Sequence, residues 1–257
     1  MKKIVLALML GLMITAPNAA KAIDVKNTTP DQPLTIEDAN PVELGEVQLN
    51  LGIPDYELNN AGNSVQWKLK PELLVGILPN TQFGISTKDV TNFGRDNTVN
   101  AWDDLKLSLL YRFNKETKII PSIAFKPELG IPMSDNFSSR HVHTTLKYIA
   151  TKSFGNNNRI HFNGANTIGA RTDYLTGGQT YRYLYTVGLD KTYNDKFLVG
   201  GDFVVRKPIE NIRTQIVTEL GMKYKATDNT TVNAGIGTGI FRPNAGPDLT
   251  LRFGLSH

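Results

Sequence analysis

The sequence predicts an all-β protein, a transmembrane antiparallel β-barrel of about twelve strands, and three observations carry that expectation. Short segments of alternating polarity run from Gly45 to the C-terminus. Their connections are short, then long, then short again, as a barrel with tight periplasmic turns and longer extracellular loops requires. No apolar run is long enough to cross as a helix, which needs about 20 residues. An even strand number also leaves both ends of the barrel on the short-turn, periplasmic side.

The N-terminus reads as a secretory signal, residues 1–22. Lys2 and Lys3 are its basic region, Ile4 to Ile14 its apolar core, and Ala20-Lys21-Ala22 its small-x-small cleavage site. The mature chain is expected to begin near Ile23, exported to the bacterial outer membrane. Residues 23–44 form a leader with Pro30, Pro33 and Pro41. It either folds up into the barrel as a plug or trails as a flexible periplasmic leader. The second state suits a Pro-rich, polar terminus, while Leu34, Ile36 and Ala39 give it enough apolar character to dock.

Residues 45–257 are the barrel. The strands are expected at Val47–Ile53, Val65–Ile77, Thr81–Thr87, Leu105–Phe113, Ile119–Ile131, Leu146–Ala150, Ile160–Ile168, Tyr181–Tyr193, Phe197–Val205, Ile216–Tyr224, Val232–Ile240 and Leu249–Leu255. Leu105–Phe113 is the clearest, with Leu105, Leu107, Leu109, Tyr111 and Phe113 on one face and Lys106, Ser108 and Arg112 on the other. The short connections are Leu78–Asn80, Asn114–Lys118, Phe154–Asn158, Tyr193–Asp195 and Ala226–Thr230. The long ones are Pro54–Asn63, Lys88–Asn100, Pro132–Val142, Ala170–Thr180, Arg206–Ile212 and Phe241–Pro247.

Aromatic parity supports the orientation. Phe83, Tyr111, Phe113, Tyr193, Phe197, Tyr224 and Phe253 face outward near the short turns, as a headgroup girdle does. Trp67, Phe125, Tyr181, Tyr183 and Phe203 form a sparser outer girdle. Pro71, Pro121 and Pro127 fall inside strands and remove ladder donors, which predicts bulges or irregular pairing there.

Pro33-Leu34-Thr35-Ile36-Glu37-Asp38-Ala39, followed by Gly45-Glu46-Val47-Gln48-Leu49-Asn50-Leu51-Gly52, resembles the opening of the MetA-pathway of phenol degradation family of outer-membrane proteins. Pro71-Glu72-Leu73 to Gly76-Ile77-Leu78-Pro79-Asn80-Thr81-Gln82-Phe83 resembles that family's first full hairpin, and Pro247 to Leu255 its closing strand. The resemblance implies an outer-membrane channel or transporter, with aromatic hydrocarbons as suggested cargo. The chain departs from the usual barrel ending in an aromatic residue read by the barrel assembly machinery. It closes Phe253-Gly254-Leu255-Ser256-His257, so His257 stands in that outward position, or recognition rests on Phe253 and Leu255.

The inward parity presents Lys68, Lys70, Glu72, Lys106, Arg112, Lys126, Glu128, Lys147, His161, Arg182, Asp202, Glu219, Lys223 and Arg252 as lumen-lining residues. They either bathe a wet pore whose slight cationic excess favours anions or polar aromatics, or pair across a narrow lumen. Gly235, Gly237 and Gly239 share one strand face, leaving room for a plug, a side chain or a ligand.

Of 28 basic residues, Lys2, Lys3 and Lys21 lie in the signal, leaving 25 against 24 acidic ones. That balance excludes a nucleic-acid role. Without cysteine there is no disulfide framework or thiol chemistry. No cofactor is expected. Membrane lipid, the assembly machinery and a small-molecule solute are the expected partners. A rim hydrolase is a minor alternative, on Asp103, Asp104, His141 and His143. Its Ser138 and Ser139 lie in a loop rather than near a histidine on a lipid-facing strand. The two histidines lack a third ligand for a metal. A closed barrel acting through its outer loops is the main alternative to a channel.

Overall fold

A computed structural model describes residues 25–30, 32–59, 64–93, 98–134, 141–169, 181–208, 214–241 and 248–257. The predicted signal, Ser138, Ser139 and much of the long connections lie outside these residues. Fourteen strand segments are described, and they build a closed barrel of twelve strands. In chain order they are β1 (Val47–Asn59), β2 (Ser64–Leu78), β3 (Thr81–Ser86), β4 (Asp89–Phe93), β5 (Thr98–Trp102), β6 (Leu105–Asn114) and β7 (Ser122–Ile131). There follow β8 (His143–Phe154), β9 (Asn158–Ile168), β10 (Tyr181–Asn194), β11 (Phe197–Pro208), β12 (Gln215–Thr227), β13 (Thr230–Phe241) and β14 (Leu249–Ser256).

All pairings are antiparallel, and β1 closes the ring by pairing with both β14 (Leu51↔Leu255) and β2 (Leu51↔Pro71). The count reconciles because two strands are broken. β2 pairs with β3 up to Glu72↔Ser86 and with β4 from Leu69↔Asp89, so β3 and β4 form one interrupted strand. The facing strand is interrupted at Asp103-Asp104, between β5 and β6. The break lies beside Pro71, whose carbonyl accepts the Thr87 N–H at 3.2 Å. Proline has no N–H for a regular ladder there, so the predicted irregularity at Pro71 is found.

Other boundaries move. Pro54–Asn63 is not all loop: β1 runs on through Asn59, with its register shifting between Gly52 and Asp55. Lys88–Asn100 holds β4 and the start of β5 rather than an open loop. Pro121 precedes β7 instead of interrupting it. Pro127 does interrupt the β6 side, where pairing leaves at Ser108↔Glu128 and resumes at Tyr111↔Phe125. Because β7 starts at Ser122, Phe125 sits between Tyr111 and Tyr148 in the short-turn band, not in an outer girdle. Two of the tight turns use left-handed residues, Asn80 (φ 63°) and Asn157 (φ 61°), a conformation asparagine tolerates better than most side chains.

The polarity of the barrel is inverted relative to a water-soluble fold. On β12, Leu220, Met222 and Tyr224 are exposed while Glu219, Gly221 and Lys223 are buried. The other strands repeat the rule, with Leu189, Phe162, Tyr193 and Phe253 outside and Asp190, His161 and Arg252 inside. Such a continuous apolar exterior is stable only against lipid.

Candidate functional site: a leader seated in a charged lumen

The interior is occupied by the chain's own leader. Residues 25–44 touch inward-facing side chains of strands on every side of the ring, so the described part of this segment lies in the lumen and not free of the barrel. Composition had favoured a flexible leader. The burial has a physical cause, because the lumen satisfies the leader's backbone donors one after another. Thr35 N donates to Asp202 Oδ2 (2.8 Å) and Glu219 Oε2 (2.9 Å), and Ile36 N to Asp202 Oδ2 (3.0 Å). Glu37 N donates to Asn163 Oδ1 (2.7 Å), Ala39 N to Thr151 Oγ1 (3.1 Å) and Val42 N to Gln82 Oε1 (2.8 Å). A bond of this kind is worth about 1 kcal/mol net, and more where the acceptor is charged.

Apolar leader residues supply the remaining hold. Val25, Leu34, Ile36, Ala39 and Val42 are all buried, and Ala39 packs with Leu110, Ala124 and Ile149. Glycines make the space. A Cβ on Gly188 would lie 2.5 Å from Ile36 Cγ2, one on Gly200 3.0 Å from Leu34 Cδ1, and one on Gly221 2.7 Å from Pro33 Cγ. On Gly235 it would collide with the Pro33 carbonyl. Gly200, Gly221 and Gly235 are register partners across β11, β12 and β13, so they form a continuous smooth slot. Of the glycines singled out in the sequence, Gly235 faces the leader and Gly237 faces Glu219.

The two described ends of the leader lie at the same end of the barrel. Lys26 O accepts from Arg159 (2.6 Å) and Asn27 O from Lys223 (2.6 Å), both near the short turns. The segment then folds back, with Asp38 N donating to Thr28 O, and exits where Gly45 N donates to Gly76 O. A side chain on Gly76 would strike the Glu43 backbone.

Eleven of the fourteen predicted lumen residues fall into three groups, and His161, Arg112 and Arg182 lie apart from them. Lys126 pairs with leader Glu37 at 2.5 Å, and Lys106 (3.4 Å) and Lys147 (3.1 Å) share Glu128. Glu72 accepts from Asn50 (2.9 Å), while Lys68 is buried and Lys70 half-buried on the same strand. On the opposite side, Arg252 pairs with Glu219 at 2.6 Å beside Asp202, and Lys223 binds the leader. His161 is fully buried, 2.9 Å from Asp190 and 3.0 Å from Thr151. Arg112 sits low, bonded to Asn80 and leader Asn40. Arg182 shares the inward parity but is exposed at the start of β10.

Three inward charges escaped the sequence reading. Arg159, which grips leader Asp38 and Asp190, and Arg206 fell just outside the expected strands, because β9 starts earlier and β11 ends later. Asp190 lay within an expected strand at inward parity, so alternation alone points to it.

The rim residues do approach one another. His143 Nε2 lies 3.7 Å from Asp104 Oδ2, and Lys88 lies 3.4 Å from Asp103, at the interruption between β5 and β6. The His143 ring packs on Gly130, and Asp103, Asp104 and His143 are all buried, whereas His141 is exposed. This arrangement stitches a strand break and offers a substrate no open face. Among the described residues no group of three or more His, Cys, Asp or Glu side chains could hold a metal.

No family model and no curated relative matches the chain. Solved structures do share its fold. An outer-membrane channel from Pseudomonas putida F1 superposes with a TM-score of 0.63 at 11% identity, covering 85% of this chain and 96% of that one. The NanC porin gives 0.54 at 11% identity over 82% and 98%. The KdgM porin, solved in complex with disordered oligogalacturonate, gives 0.52 at 13% identity over 82% and 98%. The chain therefore has the fold of outer-membrane β-barrels.

Proposed function

We propose that the protein is an outer-membrane channel for small solutes, with its leader acting as the constriction. One observation carries this reading: a closed barrel with a lipid-compatible exterior holds a charged interior filled by a segment whose described ends both lie at one mouth. The similarity in fold to outer-membrane channels supports the same assignment, as do the short-turn end as periplasmic side and residues 1–22 as export signal. Aromatic or hydrophobic cargo, as the family resemblance implies, is compatible with the small-residue wall of β10–β13. The inward charges then set selectivity. The reading assigns no catalytic step.

A second reading has support of its own, because Lys106–Glu128–Lys147 and Arg252–Glu219 are neutralised within their own clusters along the lumen wall. A barrel closed in this way would act through its outer connections. Planar-bilayer conductance of the refolded chain beginning at Ile23, with and without residues 23–44, separates the two. Steady current from the intact chain, or current gained on deletion, supports the channel. Silence from both, with the heat-modifiable gel mobility of a folded barrel retained, supports the closed structure.

A further inference from the structure

We propose that leader Glu37 occupies, on Lys126, the binding position of a carboxylated solute, making the lumen a carboxylate-exchange site. The proposal rests on the channel reading above and names its solute class. Lys126 is buried, and its close partner is the Glu37 carboxylate at 2.5 Å. That carboxylate comes from the leader, not from the wall. The wall itself supplies Glu72 and Glu128 within electrostatic reach of Lys126, but these are engaged by Asn50 and by Lys106 and Lys147.

The position is reachable in steps. Lys147 is the register partner of Lys126 across β7 and β8, and Lys106 is the partner of Gly130 further toward the long connections. Their side chains keep about a fifth of their surface exposed, 21% each, so they meet whatever enters from that side. A solute carboxylate arriving there finds two ammonium groups sharing one glutamate. It then competes with Glu37 for the third.

Exchange need not unseat the leader. The backbone N–H groups of Thr35, Ile36 and Ala39 are anchored on Asp202, Glu219 and Thr151, independently of the Glu37 side chain. Releasing Glu37 alone exchanges one carboxylate–ammonium pair for an equivalent one, so the step is close to balanced. An ammonium takes a carboxylate as a point charge, which favours small monocarboxylates over bulky polyanions.

The test is the reversal potential of the refolded full chain in planar bilayers, under gradients of potassium benzoate, potassium acetate and potassium chloride. Glu37→Gln is expected to raise the carboxylate-to-potassium permeability ratio about threefold or more, and Lys126→Gln to lower it by a similar factor. Glu37→Asp, which keeps the charge but shortens its reach, should fall between wild type and Glu37→Gln and covers the case in which the glutamine variant fails to refold. A conducting wild type whose ratios are unchanged in these variants, or a shift toward potassium in Glu37→Gln, overturns the proposal and leaves the channel reading standing. Silence from wild type and these variants, with current only after deletion of residues 23–44, overturns the proposal, and silence from the folded deletion as well overturns the channel reading itself.

Discussion

Along β10–β13 the lumen wall meets the leader through Gly188, Gly200, Gly221 and Gly235, whereas along β7–β9 it meets it through Lys126, Thr151, Arg159 and Asn163. The first wall works by shape. At these glycines no side chain is in the way, so Pro33, Leu34 and Ile36 lie directly on the backbone, and beside them Asp202 and Glu219 take the Thr35 and Ile36 N–H groups. The second works by charge and hydrogen bonding, and solute ions can compete with it. The glycine contacts of the first wall are thus packing that ions do not touch, whereas the carboxylates set among them and the polar groups of the second wall are within the reach of ions. A leader built this way can answer to ions without becoming loose.

The largest effect should come from filling the smooth wall. Gly188→Val with Gly235→Val places methyl groups where Ile36 and the Pro33 carbonyl lie. Overpacking costs about 1–3 kcal/mol per site, and the two sites are separate enough to add. The leader should then leave the lumen, read as protease cleavage near residues 28–38 in a barrel that still runs folded on a gel. Intact protection would break the comparison. Next is Asp202→Ala, which leaves Ile36 N without its acceptor while Glu219 keeps Thr35 N. A hydrogen bond to a charged group is worth about 1.5–3 kcal/mol, so the leader should be partly cleaved in the same assay.

Lys106→Gln is expected to be milder, because Glu128 keeps Lys147 at 3.1 Å. A fall in the thermal midpoint of about 1 kcal/mol equivalent, largest at low salt, would mark the charged wall as screened. No salt dependence would contradict that assignment.

The smallest effect lies outside the lumen, in the turn after β6. Burial pushes the Glu116 carboxyl up, but hydrogen bonds from Lys152 and Ser153 outweigh it and hold the group below its ordinary range. A carboxylate depressed in the folded state adds stability above its unfolded pKa and loses it as pH falls through the folded value. Glu116→Gln should therefore differ slightly from wild type at neutral pH and converge with it in acid. A difference that grows in acid would refute the sign.

Much of the barrel was legible because period-two alternation is a local property. Lys126, Asp202 and Glu219 were placed inward from parity alone, and all three are buried. What parity could not show was termination. Pro54 does not end β1, and the β3–β4 break depends on how Pro71 of a neighbouring strand meets Thr87. The leader was harder still. Its composition is that of a terminus, and its burial follows from glycines more than 150 residues away in the chain. A row such as Gly200, Gly221 and Gly235 becomes a slot only once register brings them side by side.

The return of the leader to its point of entry has a topological consequence. Thr28 and Asp38 are tied together, and the described ends of the loop, near Lys26 and Gly45, both lie toward the short-turn mouth. A strand threaded from one mouth to the other could depart only by dragging a free end through the whole barrel. A loop inserted from one mouth needs no such passage: it can be withdrawn and replaced as a unit, after the ring has closed, without breaking a rung of the β1–β14 seam.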